Sequence, residues 1–325
     1  MRSLLLVGAL TLLAADALAQ TSKSAPPFTG GTGPGEAGLA TPSGSDVSVG
    51  LASYTYTEPG DQSISIHGVK FVADFTGTLV FDEQRHWFGQ GQVRTTFGNT
   101  TYDGWCSPYL ITPSSASPNG YELDISRDAS PCSETGDKDW YVEARLLAGK
   151  DLIGQRWGWS PYSGIGLRYL SNGTAGVPRF RTDRYLYVPL GLTARTNVAS
   201  HRALSLTVEF DALVHGWQQT HDSALGGGEV PPTAAAPGFT IDSFTDVSFS
   251  QTGGWALRAS AKYPLSTRMW VEPYYVRWAV NASAANQETV TFTVHNVTAR
   301  EQLGFYEPFN VTNEFGVRLG FHLRR

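Results

Sequence analysis

The sequence predicts an all-β chain: a closed, antiparallel, up-and-down transmembrane β-barrel of about ten strands, with eight or twelve as alternatives. Three observations carry this reading. Long segments alternate apolar and polar residues one by one, most clearly Arg184–Arg195 and Arg202–Trp217, and these run to about twice the usual soluble strand length. Connections alternate between long and short, as loops and turns do around such a barrel. Tryptophans collect at the predicted strand ends, where the apolar ring and the wet N–H suit the headgroup layer.

The chain of 325 residues begins with Arg2, the apolar run Leu4–Leu13, and Ala17-Leu18-Ala19 before Gln20. This is a basic n-region, an h-region and an A-x-A site, so residues 1–19 are expected to be a signal peptide cleaved after Ala19. The run is too short for a membrane span, and no later stretch reaches the ~20 apolar residues that a transmembrane helix needs. Residues 20–45 are rich in Gly, Pro, Ser and Thr. They read as a flexible periplasmic segment, with a lumen plug as the alternative. Residues 46–325 are assigned to the barrel.

The first strand is expected at Val47–Glu58, with Val47, Val49 and Leu51 outward and Tyr54 and Tyr56 inward. Pro59-Gly60-Asp61 turns the chain. The second strand, Ile66–Phe81, sets Val69, Phe71, Ala73 and Phe75 against Lys70, Asp74, Thr76 and Thr78. The third, Trp87–Phe97, carries Gln90, Gln92, Arg94 and Thr96 on its polar face. After the polar loop 98–138, the fourth strand, Trp140–Gly149, opposes Val142, Ala144 and Leu146 to Glu143 and Arg145. The fifth, Arg156–Leu170, places Arg168 inward. The sixth and seventh are the long hairpin Arg184–Trp217, whose polar rows include Arg195 on one arm and Glu209, Asp211, His215 and Trp217 on the other. A second long loop, 218–253, precedes the eighth strand, Gly254–Tyr263, with Arg258 and Lys262 inward. The ninth, Met269–Val280, is ambiguous, because Glu272 and Arg277 have opposite parity. Within the last loop, Glu288–His295 suggests a small extramembrane strand paired with Val297–Gln302. The tenth strand sets Phe315, Val317, Leu319 and Phe321 against Glu314, Arg318 and His322.

Long connections at one end and short ones at the other put both termini on the periplasmic side. Trp87, Trp140, Trp157, Trp159, Trp255 and Trp270 are expected at the membrane interfaces. Trp217 and Trp278 are open to a lumen-facing reading. A soluble sandwich or lipocalin-like barrel also alternates, but turns its polar face outward.

The pieces SYTYTEPG (Ser53–Gly60), WYVEARLLAG (Trp140–Gly149), SPYSGIGLRYLSNG (Ser160–Gly173), RYLYVPLGL (Arg184–Leu192), VEPYYVRW (Val271–Trp278) and NEFGVRLGF (Asn313–Phe321) resemble a group of uncharacterised proteobacterial outer-membrane β-barrel proteins, loosely porin-family. The likeness covers most strands and not the loops. It implies the fold, the bacterial outer membrane, and partners in the lipid bilayer and the barrel assembly machinery. It brings no catalytic residues. Many such barrels end on an aromatic residue, whereas this chain ends Phe321-His322-Leu323-Arg324-Arg325.

Function is less legible. Net charge is −5 and no basic stripe appears, which argues against a nucleic-acid partner. Cys106 and Cys132 are the two cysteines, and in an oxidising compartment they are expected to form one disulfide. Their surroundings offer no cluster of metal ligands, so neither a metal nor a cofactor is expected. The charged residues predicted to line the lumen are Lys70, Asp74, Arg94, Glu143, Arg145, Arg168, Arg195, Glu209, Asp211, His215, Arg258, Lys262 and Arg318, with His322 beside them. Both signs in so narrow a space predict salt bridges that fill it. This gives a structural barrel or, with arginines favouring anions, a narrow pore. The alternative is a surface-binding barrel acting through loops 98–138 and 218–253 on a small solute or surface ligand of unknown identity. An outer-membrane hydrolase is third: Asp211 and His215 lie ~13 Å apart along one strand face and could not bond directly.

Overall fold

The computed structural model describes residues 38–323, apart from 61–62, 83–85, 107–109, 125–129, 174–179, 200–201 and 234–235. The expected signal peptide and residues 20–37 lie outside the described residues. In chain order the strands are β1 (Gly44–Glu58), β2 (Ile64–Asp82), β3 (Trp87–Cys106), β4 (Leu110–Pro113), β5 (Tyr121–Asp124), β6 (Ser130–Lys150), β7 (Leu152–Ile153), β8 (Gly158–Gly173), β9 (Phe180–Ala199), β10 (Arg202–Thr220), β11 (Gly228–Val230), β12 (Phe239–Phe244), β13 (Ser248–Gln251), β14 (Gly254–Pro264), β15 (Met269–Val280), β16 (Asn286–Val294), β17 (Val297–Phe305) and β18 (Asn310–Leu323).

Ten of these, β1, β2, β3, β6, β8, β9, β10, β14, β15 and β18, form an antiparallel ring. It closes where β1 pairs with β18, from Ser45 opposite Leu323 to Thr57 opposite Val311. The ten expected strands are all present. Several run further toward the long loops than their apolar rows suggest. The β3–β6 ladder continues to Cys106 opposite Ser130, so much of the expected loop 98–138 is hairpin. Beyond the hydrocarbon a backbone ladder needs no apolar face, and alternation therefore stops before the strand does.

The outer wall decides between membrane and soluble readings. Leu146 is 68% exposed, Val69 62% and Phe315 59%, and the outward rows of every barrel strand follow them. The interior is polar: Lys70 and Asp211 have no exposure at all. This is the inverse of a soluble core and is what hydrocarbon contact requires.

Inside, rings lie over glycines on the neighbouring strand. Tyr274 faces Gly316 and Trp270 faces Gly320 across β15–β18, and Tyr187 faces Gly166 across β8–β9. A Cβ on Gly316 would come within 2.6 Å of the Tyr274 ring. The absent side chain lets each ring lie flat along the wall.

Two local departures change what faces where. In β10 the register shifts between Leu213 and His215, where β10 exchanges its partner β14 for β13. One extra residue in a bulge inverts inside and outside beyond it. Trp217 therefore points outward and Gln218 inward. At the N-terminus, residues 38–43 pack across the turn end of the barrel, which shortens the stretch expected to be flexible. Leu39 is buried, Thr41 bonds Asp151 through its N–H and its hydroxyl, both at 2.7 Å, and the Ser43 hydroxyl accepts the Val80 N–H at 2.9 Å.

At the loop end, β11, β12, β16 and β17 make a second sheet and β4–β5 a hairpin. The expected small strand pair is β16–β17, hinged at Val294 opposite Val297, where His295 and Asn296 take positive φ. Phe292, Val290, Val294, Ile241 and Phe239 join Ile111 and Leu123 of the hairpin in one apolar cluster. The Leu123 N–H donates to Glu301 at 2.9 Å and ties the hairpin to β17. The three long loops thus build one folded cap.

Candidate functional site

The lumen is a stack of ion-pair and aromatic layers. Even-numbered positions of β2 and β14 and odd-numbered ones of β6 face inward, so each strand turns every second side chain into the lumen and sets its charges among them. At the turn end, Asp46 accepts Lys262 at 2.6 Å and pairs with His322 at 2.5 Å. Lys262 lies 4.1 Å from the Trp270 ring centroid. Above this, Asp74 holds Arg94 at 2.9 Å and Arg318 at 2.5 Å, and Arg318 also reaches Glu272 at 2.9 Å. On the opposite wall Glu209 pairs with Arg145 and accepts the Tyr162 hydroxyl at 2.7 Å.

The middle of the barrel is full. Arg258 reaches Asp211 at 2.6 Å and Glu143 at 2.6 and 2.9 Å. Tyr187 donates to Glu143 at 2.7 Å. Tyr141 and Tyr274 both donate to Glu314, at 2.8 and 2.6 Å. Arg168 is buried over the Tyr141 ring at 4.2 Å, with Trp278 at 5.6 Å. Lys70 lies over Tyr54 at 3.2 Å and bonds Asp139 at 2.7 Å. Tyr54, Tyr141, Tyr187 and Trp278 are at most 2% exposed. They pack the middle of the lumen.

At the loop rim, Glu58 and Glu307 are buried around Arg181, which bonds Glu307 at 3.0 Å. Tyr56 donates to Glu58 at 2.7 Å. Burial pushes the Glu307 carboxyl above its ordinary range; Arg181 opposes this and Glu58 adds to it.

On the turn side the lumen opens into a cavity of about 860 Å³, crossed at its mouth by residues 38–43. Arg195 lies on its wall, bonded to the Ser160 hydroxyl and 3.6 Å from Asp151.

Twelve of the thirteen charged residues expected in the lumen are inside, and His215 is not. Its Nε2 meets the Ser250 hydroxyl at 3.1 Å, its ring lies tilted against that of Trp217 at 4.3 Å, and both stand on the outer side because of the β10 bulge. Asp211 and His215 therefore face opposite sides of the wall. Among the interface tryptophans, Trp87, Trp157, Trp159 and Trp255 are exposed on the outer surface, and Trp140 packs against Tyr169 at 5.4 Å. Trp270 is a correction: it is 4% exposed and lines the cavity. In β15 the even row faces in, which places Glu272 and Trp278 inside. Arg277 lies on the other row with its guanidinium on Asn313 at 3.0 Å. Asp46, Asp139 and Glu272 belong to the lumen network and were absent from the expected set. Extending each inward parity by one or two residues past the apolar run finds the first two. Among the described residues no group of three or more His, Cys, Asp or Glu is arranged to hold a metal ion.

Fold and lumen together define a transmembrane β-barrel with a filled core and a folded loop-end cap. No protein-family model matches the chain, and no curated relative matches it. In fold it is similar to the outer-membrane protease OmpT of Escherichia coli (10% identity, 87% of this chain and 98% of that one, TM-score 0.47). It is also similar to an outer-membrane channel of Pseudomonas putida F1 (11% identity, 90% and 100%, TM-score 0.31) and to Ail of Yersinia pestis (9%, 87% and 100%, TM-score 0.28).

Proposed function

We propose that the chain is a proteobacterial outer-membrane protein, exported by a signal peptide cut after Ala19 and inserted by the barrel assembly machinery, whose barrel is a closed scaffold that displays the cap outside the cell. The cap then binds a surface partner. One observation carries this reading: three long loops share a single apolar core, with Val290, Phe292 and Val294 fully buried, while the lumen below them is plugged. A polypeptide that only closes strand ends needs no core of its own. The short turns and residues 38–43 then face the periplasm.

A cross-link between Cys106 and Cys132 suits the same reading. In the hairpin register Cys132 stands opposite Gly104 and Cys106 opposite Ser130, two residues further along the ladder.

The test is to fold the chain into planar bilayers and, separately, display it on cells. A closed scaffold gives no steady conductance across voltages, and protease added outside the cells cleaves only within the cap or its connections. Steady ohmic conductance favours the narrow pore, to which the turn-side cavity would be the vestibule.

A further inference from the structure

We propose that the turn-side cavity is a binding site for small oxyanions, carboxylates or phosphates, entered from the periplasm. From the reading above the inference takes only the orientation of the barrel.

Size comes first. At about 860 Å³ the cavity lies within the range of small-molecule sites. It is also blind. Its inner end is the plugged layer, so whatever enters leaves by the same mouth, and the cavity can hold a solute without passing it on.

Charge comes second. Seven lysine and arginine side chains line the cavity against four carboxylates. The barrel interior has more carboxylates than this, but Glu143, Asp211 and Asp151, which hold Arg258 and Arg195, are not on the lining. The lining therefore presents cationic donors whose counter-charges partly stand behind the wall, and Arg202 is the one whose bonded partner is not a carboxylate.

Donors with spare capacity come third. Asp151, the carboxylate nearest Arg195 at 3.6 Å, already accepts the Thr41 N–H, the Thr41 hydroxyl and the Ser160 hydroxyl. It has little left for the guanidinium. Arg202 has its guanidinium on a backbone carbonyl, that of Leu265 at 3.3 Å. The Trp270 ring lines the cavity with Lys262 4.1 Å from its centroid, so it reports on charge bound there. The hydroxyls of Ser205 and Ser260, with the Thr193–Thr207 pair bonded to each other at 2.9 Å, complete the polar lining.

The experiment is calorimetric titration of the folded full-length mature chain in detergent with inorganic phosphate, with citrate and with maltose, at fixed ionic strength. Expected is saturable binding of at least one anion and none of maltose. The paired variant Arg195→Gln/Arg202→Gln should weaken binding about tenfold or more, as loss of charge-assisted hydrogen bonds does. Folding is checked by the shift in gel migration between unheated and heated samples. If the paired variant does not fold, Arg202→Gln alone serves, because Arg202 is only part-buried. Trp270→Phe should remove the anion-dependent change in indole fluorescence. No saturable binding of either anion, equal binding in a folded arginine variant, or equal binding of maltose would overturn the proposal.

Discussion

Arg258 and Glu143 meet across the interior in a two-pronged ion pair, although β8, β9 and β10 lie between their strands around the wall. The pair braces opposite sides of the barrel. Its two ends differ in what they leave behind. Arg258→Met strips Glu143, Asp211 and Glu209 of a shared counter-charge at once. This should cost ~3–5 kcal/mol, the usual penalty for one broken partner in a buried network. Glu143→Gln leaves Arg258 with Asp211 and Glu209 and should cost clearly less. Urea midpoints in detergent measure both. Equal losses would show that Asp211 and Glu209 do not share the arginine.

The Tyr274–Gly316 contact makes a steric prediction. The ring is fixed at its far end by the hydroxyl on Glu314 at 2.6 Å, so it cannot swing aside for a side chain at 316. Gly316→Val should therefore destabilise the barrel by ~1–3 kcal/mol, the range for overpacking. Val317→Ala, on the outer row of the same strand, should cost less. The same urea series checks the pair.

The barrel was legible in the sequence because its outer rows must be apolar for as long as they touch lipid, and that constraint writes the alternation. Where the constraint ends, legibility ends. The inward lumen charges followed from parity, but Asp46 and Asp139 lie just outside the apolar runs that set parity. His215 and Trp217 were misplaced because the β10 bulge leaves no mark in residue type; it arises where β10 changes partners from β14 to β13, a tertiary event. Trp270 was assigned to the headgroup layer by its position near a strand end, yet it lies inside over Gly320, and only the facing strand reveals that space. Of the cap only the β16–β17 pair was read as strand; the rest was read as loop, because its core is assembled from three distant segments.

The loop rim carries a pH signature. Glu307 lies beyond the barrel strands, between β17 and β18, with burial holding its carboxyl above the ordinary 4.5. Arg181, Glu58, Tyr56 and Gln218 surround it. A carboxyl whose folded value is raised binds its proton more tightly in the folded state. Its contribution to stability is therefore full below about 4.5 and is lost as pH rises through the raised value. Glu307→Gln, which is neutral throughout, should flatten the acid-side dependence of the unfolding midpoint. Midpoints at several pH values from 4 upward, wild type against variant, check this. Parallel curves would mean that Glu307 titrates normally.

Trp278 is the largest side chain in the plug. Tyr185 stacks on it at 5.8 Å and Tyr187 meets it edge-on at 5.1 Å, and Arg258 and Arg168 lie over its ring, both at 5.6 Å. Removing the indole leaves a gap beside two guanidinium groups, a polar site roomy enough for water rather than a dry void. Trp278→Ala should therefore connect the turn-side cavity toward the loop rim and turn a silent barrel into one with measurable conductance. Because Arg168 and Arg258 border the gap, the current should favour anions, read as a reversal potential under a salt gradient. Leu190→Ala, on the lipid face, is the control for general loosening and should stay silent. A Trp278→Ala barrel that folds and remains closed would place the occlusion in the tyrosine and ion-pair layer alone, and the combined variant Trp278→Ala/Tyr187→Ala would then be the one to conduct.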